Sequence, residues 1–486
     1  YPLFRAIYNA YFHPLSHIPG PRSWGASRLP FLNALLSGSI VRDFQSLHDK
    51  YGPIVRIAPG EVSFSTPEAW EDVYQVHPGQ AQFLKDPIWF HAAPDQPQSV
   101  VTTIQPENHA RIRKVLAPAF TQRAVREQEP IVQRYVSLLV EKLSELLAKA
   151  GDDAGVEIDM GPWFNFTTFD ILGDLAFGES FDCLHTSKYH PWISMIFDGV
   201  KAISWVSATR FYPWIEFVLM KCVPPSLKKM QDDHYQLVAD KVQRRLNWEL
   251  QRPDMMSHVI GKDGEPSLPI GEINGNWIIL TVAGSETTAT LLTGTTNYLA
   301  NNPAKFAILA EELRTMFESA DKITLDALRE LPYLNAVINE GMRLCPPVPW
   351  MLPRRVPAGG RTVCGTWLPG DTPVSIQPFA IGRDKKYFHS AGEFLPERWL
   401  PNARTDSKSP FFHDQRHAVL PFSMGPRACL GQNLAWAELR LVLAELAWSF
   451  DIEAIEGKKV KWEDMKTYLL VEKRPVEVRL KARVDG

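Results

Sequence analysis

The sequence has 486 residues, 45% of them hydrophobic and 22% charged, and a net charge of −3. That composition argues against a largely disordered chain, and the near-neutral balance gives no bulk electrostatic case for a nucleic-acid binder. The five cysteines, Cys183, Cys222, Cys345, Cys364 and Cys429, are odd in number and form no C-x-x-C, which argues against a disulfide scaffold and a structural zinc site.

No run of ~20 apolar residues occurs, so no transmembrane span is expected. The chain starts YPLFRAIYNAYFHPL, aromatic and weakly basic, with Tyr1 first and no signal-peptide pattern. It reads as truncated or processed. Its opening suits a monotopic membrane contact; the other reading is a segment packed on the body. Residues 18–21, IPGP, form a rigid hinge. Residues 1–21 are therefore taken as a membrane-proximal segment and hinge, and residues 22–486 as one catalytic domain.

Two strands are expected around the Pro59-Gly60 turn, over 54–58 and 61–65, followed by a short helix after Thr66-Pro67. Residues 79–106 are dotted with proline and glutamine and read as a long loop, a lid or pocket wall. Helical patterns run from Glu107 to Leu250, with breaks near 151–158 and 178–190. Residues 191–223, rich in Trp, Phe and Ile, form either a cover over an apolar cavity or plain core. One long helix is expected from Pro269 to about Leu299. It is apolar on most sides and so belongs in the interior. Further helices follow over 302–318 and 331–344, then short strands and turns, then a last long helix over 431–450 and a strand-like tail. The result is a mainly α fold with small β-sheets at both ends. Without repeated βα units, a Rossmann or barrel architecture fails.

The segment FSMGPRACLG, Phe422 to Gly431, carries the chemistry. Gly425-Pro426 makes a turn, and Cys429 stands just before an apolar helix. Free N–H groups and the positive dipole end there favour a thiolate. Gly425 and Gly431 let backbone approach a flat ligand. On its own a cysteine near glycines is more often inert. The whole ten-residue arrangement, however, resembles the heme-binding loop F-x-x-G-x-R-x-C-x-G of the cytochrome P450 superfamily. Three further motifs of that family follow its order. Ala283-Gly284-Ser285-Glu286-Thr287-Thr288 resembles its central-helix oxygen motif. Glu340-Gly341-Met342-Arg343 is similar to E-x-x-R. Phe394-Leu395-Pro396-Glu397-Arg398-Trp399 is similar to its P-E-R-F segment, with Trp399 in the last place. YFHPLSHIPGP and HARIRKVLAPAF resemble filamentous-fungal microsomal enzymes of secondary metabolism.

The resemblance implies a P450 fold, with heme b between the long central helix and the cysteine-loop helix. Cys429 would be the axial thiolate ligand of its iron, and Phe422 would shield the sulfur. Arg427, Arg113, His109 and Arg354 would meet the propionates. His109 stands where the family often has tryptophan, and Arg355 is the immediate rival of Arg354. Glu340, Arg343 and Arg398 would form a buried structural triad that holds the cysteine loop. Glu286 and Thr287 would be the acid–alcohol pair that positions a proton, beside a helix loosened at Gly284. Substrate would be hydrophobic, walled by Phe90, Ile279, Ala283, Val348, Trp350, Met351 and Leu469. Ser204, Trp205 and Ser207 have no assigned place.

No flavin or nicotinamide fingerprint appears. The resemblance therefore implies that NADPH acts indirectly, through NADPH–cytochrome P450 reductase, with cytochrome b5 as an additional candidate donor. Arg111, Lys114, Arg123 and Arg126 are candidates for the docking face. It also implies a removed N-terminal anchor and residence on the endoplasmic reticulum membrane, facing the cytosol, where the Asn165-Phe166-Thr167 sequon stays unused. The expected activity is insertion of one oxygen atom from O2 into a hydrophobic secondary metabolite. The alternatives are oxidative coupling, ring closure or desaturation, and a non-enzymatic heme-binding sensor.

Overall fold

A computed structural model describes residues 2–90, 97–151, 155–249, 252–261, 264–350 and 353–483. Its core is a pair of helices, Met160–Phe177 and Ile270–Asn301, packed along each other. Both are buried on nearly every side, as expected for helices with no polar face. Asp159 starts the first by accepting the Gly161 amide at 3.1 Å, which satisfies one of its orphan donors. The second, the central helix, starts after Pro269. It runs unbroken through residues 283–288, so Gly284 does not open it. The glycine instead permits close packing: a Cβ there would meet the Leu172 side chain at 3.0 Å.

Around this pair lie Gln122–Ala150, Pro332–Leu344 and Gln432–Ser449, the last being the cysteine helix. Thr121 caps the 122–150 helix by accepting the Ala124 amide at 3.2 Å, and Gly151 ends it in a left-handed conformation. A five-stranded sheet carries the order Ile54–Ala58, Glu61–Phe64, Pro373–Ile376, Arg354–Arg355, Leu84–Lys85. The Pro59-Gly60 hairpin begins it as expected. Its last pair was not legible in the sequence. Leu84–Lys85 crosses the long loop and pairs antiparallel with Arg354–Arg355, which sets Lys85 opposite Arg354. A second sheet joins Val156–Asp159, Glu477–Ala482 and Phe450–Ala454, so the chain's tail is tied to the helical core.

The helix Pro2–Tyr11 has no buried residue, and Leu3, Phe4 and Phe12 are about three-quarters exposed, at 75%, 74% and 71%. Among the described residues no helix is long and apolar enough to cross a membrane.

Candidate active site

The cysteine loop is held by its own backbone. The Cys429 amide donates to the Phe422 carbonyl at 2.8 Å, and the Ala428 amide to the Gly425 carbonyl at 3.0 Å. Gly425 sits at φ 73°, and a Cβ on it would lie 2.1 Å from the Tyr74 carbonyl oxygen. Its small size serves a backbone crossing rather than the flat-ligand approach expected of it. Gly431 differs: nothing lies within 4 Å of where its Cβ would be, and it borders a cavity.

That cavity, of about 330 Å³, lies between the central helix and the cysteine loop. Cys429 is exposed to it. Depth within the protein pushes the thiol up, while the Gly431 amide and the Arg113 charge pull it down. Cys183 and Cys345 are buried, and burial pushes their thiols up to about 12. Phe422, Ile279, Ala283, Thr287 and Val348 line the same cavity, as do Phe120 and Leu172, which sequence reasoning had not named.

One side of the cavity is cationic. Arg427 donates to the carbonyls of Thr103 and Ile104 at 2.7 and 2.5 Å, and Arg113 to the Ala428 carbonyl at 2.8 Å. Lys85 donates to the carbonyls of Val100 and Val101. Arg354 does not line the cavity; it is buried, with its guanidinium 4.9 Å from the Tyr74 ring and 5.7 Å from the Phe90 ring. Arg355 turns instead to Asp86 at 3.0 Å.

Among the described residues, Lys85, Arg113 and Arg427 form no ion pair with a carboxylate. They repel one another. Burial and then Arg354 push Arg427 down to about 10. Burial, followed by Arg354, Arg427 and Arg113, holds the Lys85 ammonium well below its usual range. Burial, then Arg427, Lys85, Arg113 and Arg354, pushes His109 down to about 3. Like charges set opposite each other on paired strands destabilise a sheet. Such a cluster fits a bound group carrying carboxylates.

Lys85 went unread because a lone lysine in an irregular stretch carries no periodic signal. Glu438, on the cysteine helix, also went unread. It is buried at the cavity, and burial pushes its carboxyl well up, opposed by the Thr288 hydroxyl.

Below the cavity Glu340, Arg343 and Arg398 are fully buried together. Glu340 accepts from Arg343 Nη2 at 2.7 Å and Nε at 2.9 Å, from Arg398 Nε at 3.1 Å and from the Leu395 amide at 2.8 Å. Trp399 Nε1 adds a fifth donor at 2.8 Å, which a phenylalanine in its place lacks. Arg398 also pairs with Asp414, a partner missed in the sequence. Arg343 Nη1 reaches the carbonyls of Gly382 and Ala391 at 2.5 and 2.6 Å.

Several expected wall residues stand elsewhere. Trp350 packs edge-on against Phe31, Phe44 and Trp89, and its indole N–H donates to the Tyr468 carbonyl at 3.0 Å. The Trp350 side chain is thus committed to a separate aromatic cluster. Phe90 covers Arg354 and Lys85 rather than the cavity. Leu469 borders neither large cavity. Met351 lies outside the described residues. Ser204 and Ser207 are buried away from the cavity, and Trp205 is exposed. Glu286 does not line the cavity that Thr287 lines; it faces a second one. Of the basic residues considered for docking, Arg111 pairs with Glu272, Arg123 with Glu127 and Arg126 with Asp326.

The sequence profile of the cytochrome P450 family matches residues 19–480. The chain is 43% identical over 482 residues to cytochrome P450 monooxygenase lcsI of Purpureocillium lilacinum, covering 98% of this chain and 91% of that protein. It is 39% identical to averantin hydroxylase of Dothistroma septosporum, covering 99% and 89%. It is 38% identical to versicolorin B desaturase stcL of Emericella nidulans, covering 99% and 96%. A match running from the hinge into the C-terminal sheet, with relatives that align nearly end to end, places this chain in the cytochrome P450 family, as a heme-thiolate monooxygenase of the fungal secondary-metabolism type that acts on hydrophobic substrates.

Proposed function

We propose that this enzyme inserts one oxygen atom from O2 into a hydrophobic secondary metabolite, with electrons passed from NADPH by a separate NADPH–cytochrome P450 reductase. The observation that carries this reading is the single cavity that brings Cys429, Thr287 and an apolar wall together beside Lys85, Arg113 and Arg427, which have no carboxylate partner among the described residues. Heme b fits it. When bound, a thiolate-ligated heme supplies oxygen activation, because the sulfur pushes electron density toward the metal. Cys429 would hold the iron, with Phe422 against the sulfur. Arg113, Arg354, Arg427, His109 and Lys85 would hold the propionates, which relieve the repulsion among them. Ile279, Ala283 and Val348 would orient substrate and exclude water. Thr287 donates its hydroxyl proton to the Ala283 carbonyl at 2.7 Å, which leaves its oxygen able to accept a proton donor from the cavity. Glu286 would supply protons from the other side of the helix.

The exposed apolar face of Pro2–Tyr11 supports contact with the cytosolic surface of the endoplasmic reticulum membrane. Arg111, Lys114, Arg123 and Arg126 remain a candidate reductase face, where charge mainly steers encounter; cytochrome b5 would be a second donor. A desaturation outcome is kept because one relative is named a desaturase. The test joins spectrum and product. The reduced protein with carbon monoxide should show the red-shifted Soret band of thiolate ligation, and Cys429→His should lose it. Products from a deletion host's accumulated precursor should gain one oxygen; loss of two hydrogens would select desaturation or coupling. An unchanged spectrum in Cys429→His would overturn the ligand assignment.

A further inference from the structure

Residues 97–104 form only turns, and two of them, Val100 and Val101, line the Cys429 cavity together with Ile279, Leu280 and Ala283 of the central helix. Two glycines let this segment approach that helix. Gly271 and Gly275 lie four residues apart and so share a face. A Cβ on Gly271 would meet Pro97 Cγ at 3.1 Å, and one on Gly275 would meet the Pro97 carbonyl oxygen at 3.2 Å. Glycine inside a helix weakens it. The close crossing of Pro97, not helix formation, accounts for the pair.

Asn276 fastens the crossing. Its Oδ1 accepts the Val100 amide at 2.8 Å, and its Nδ2 donates to the Glu272 carbonyl, one turn back, at 2.7 Å. The side chain is fully buried. Among the described residues this is the hydrogen bond that joins 97–104 to the central helix, across 176 positions of chain. The other side of the segment is held by Lys85, on the carbonyls of Val100 and Val101, and by Arg427, on those of Thr103 and Ile104. Its own turn is stiff. The Thr103 amide donates to the Ser99 carbonyl, and the Ser99 amide to the Thr102 hydroxyl, both at 2.9 Å. A shift at Val100 therefore carries Val101 with it. Ile279, Leu280 and Ala283 follow Asn276 at helical spacing, on the face that lines the cavity. One side chain thus ties the two walls together.

We propose that Asn276 is a specificity-determining positioning residue. It holds Val100 and Val101 at a fixed spacing from Ile279 and Leu280, and that spacing selects which hydrophobic substrates fit. Asn276 does not itself line the cavity, so it acts through the Val100 amide. The inference rests on the reading of this cavity as the site of heme and substrate. An aliphatic side chain at position 276 would leave the buried amide without an acceptor. That is costly, and the segment would shift until water satisfied the amide.

The test uses heme-loaded protein and two probes that ligate heme iron through nitrogen, imidazole and 4-phenylimidazole. Imidazole is small enough to bind without packing on both walls, whereas the phenyl ring must lie between them. Asn276→Leu removes both hydrogen bonds at similar volume. Gly275→Ala leaves Asn276 intact and crowds the Pro97 carbonyl. Asn276→Asp keeps the acceptor; burial favours its neutral acid, whose O–H can donate to the Glu272 carbonyl as the amide did. Asn276→Leu should weaken 4-phenylimidazole binding about tenfold, the scale of one lost buried hydrogen bond, with imidazole affinity and heme content unchanged. Gly275→Ala should weaken it in the same direction, and Asn276→Asp should restore most of it. Hydrogen exchange of peptides covering 99–104 should speed up about tenfold in Asn276→Leu. A purely structural role would lower heme content and thermal stability and leave the ratio of the two affinities unmoved. If the parent gains affinity from the phenyl ring and the variants keep its ratio, the role of Asn276 is wrong and the reading of the cavity stands. A parent that gains nothing from the phenyl ring overturns the reading of the cavity, and the inference with it. Should Asn276→Leu fail to load heme, the ratio in Gly275→Ala decides alone.

Discussion

Arg398 reaches Glu340 at 3.1 Å across 58 residues of chain, and neither side chain touches solvent. Arg343 lies on the other side of the same carboxylate, and the backbone carbonyls of Gly382, Ala391 and Glu393 take its remaining N–H groups. A buried charge is tolerable only while every partner is present. Arg343→Ala should therefore lose about 3–5 kcal/mol of stability and most of its holoprotein yield. Heme content and chemical denaturation of the soluble fraction measure this. A stable, fully loaded variant with only a catalytic defect would sink the structural role.

The same carboxylate sets an acid limit. Burial pushes Glu340 up, but the charges of Arg343 and Arg398 and the hydrogen bonds from Arg343 and Leu395 outweigh it and hold it below the usual range. A depressed native value gives stability that is present above the unfolded carboxylate range, ~4.3, and lost as pH falls through the native value. The stability gap between the parent and Glu340→Gln should be wide at neutral pH and shrink as pH drops below about 4. A gap independent of pH would contradict the paired, ionised state.

Lys85 should show opposite signs in apo- and holoprotein. Its lowered native value means that keeping the proton costs stability in full below that native value, and the cost fades as pH rises from there toward the unfolded value, ~10.4. Lys85→Met should leave the apoprotein melting no lower than the parent at neutral pH. It should also speed heme loss to a scavenger about 10–100-fold, the usual range for losing a partner of a bound group. Equal heme-loss rates would remove Lys85 from the propionate set.

Thr287→Ala should keep heme content and the substrate-induced spectral shift. Among the described residues its hydroxyl is bonded only within its own helix, to Ala283, so removal should not disturb the fold. Product per NADPH should fall about tenfold or more, toward the general-acid range, with hydrogen peroxide rising in step. Unchanged coupling would move the weight to Glu286 or to ordered water.

The sequence by itself determined the family, the mainly helical order and the identity of the chemistry-bearing motifs. Those signals are local. A ten-residue cysteine loop, an E-x-x-R turn and an apolar helix such as Ile270–Asn301 each read from neighbouring residues, because turn chemistry and helical spacing act over short distances. What only the tertiary structure decided are the pairings across long separations. Leu84–Lys85 finds Arg354–Arg355 by strand register. Asp414 finds Arg398 through chain reversal. Trp350 joins an aromatic cluster, where its ring is buried and its N–H meets the Tyr468 carbonyl. Glu286 and Thr287 look like one unit in the sequence, yet the turn of the helix assigns them to different cavities, and the acid pairs with Lys473, 187 residues away. Local composition determines which groups are available; the packing of distant segments determines which charges are left facing each other, and that cannot be read from spacing along the chain.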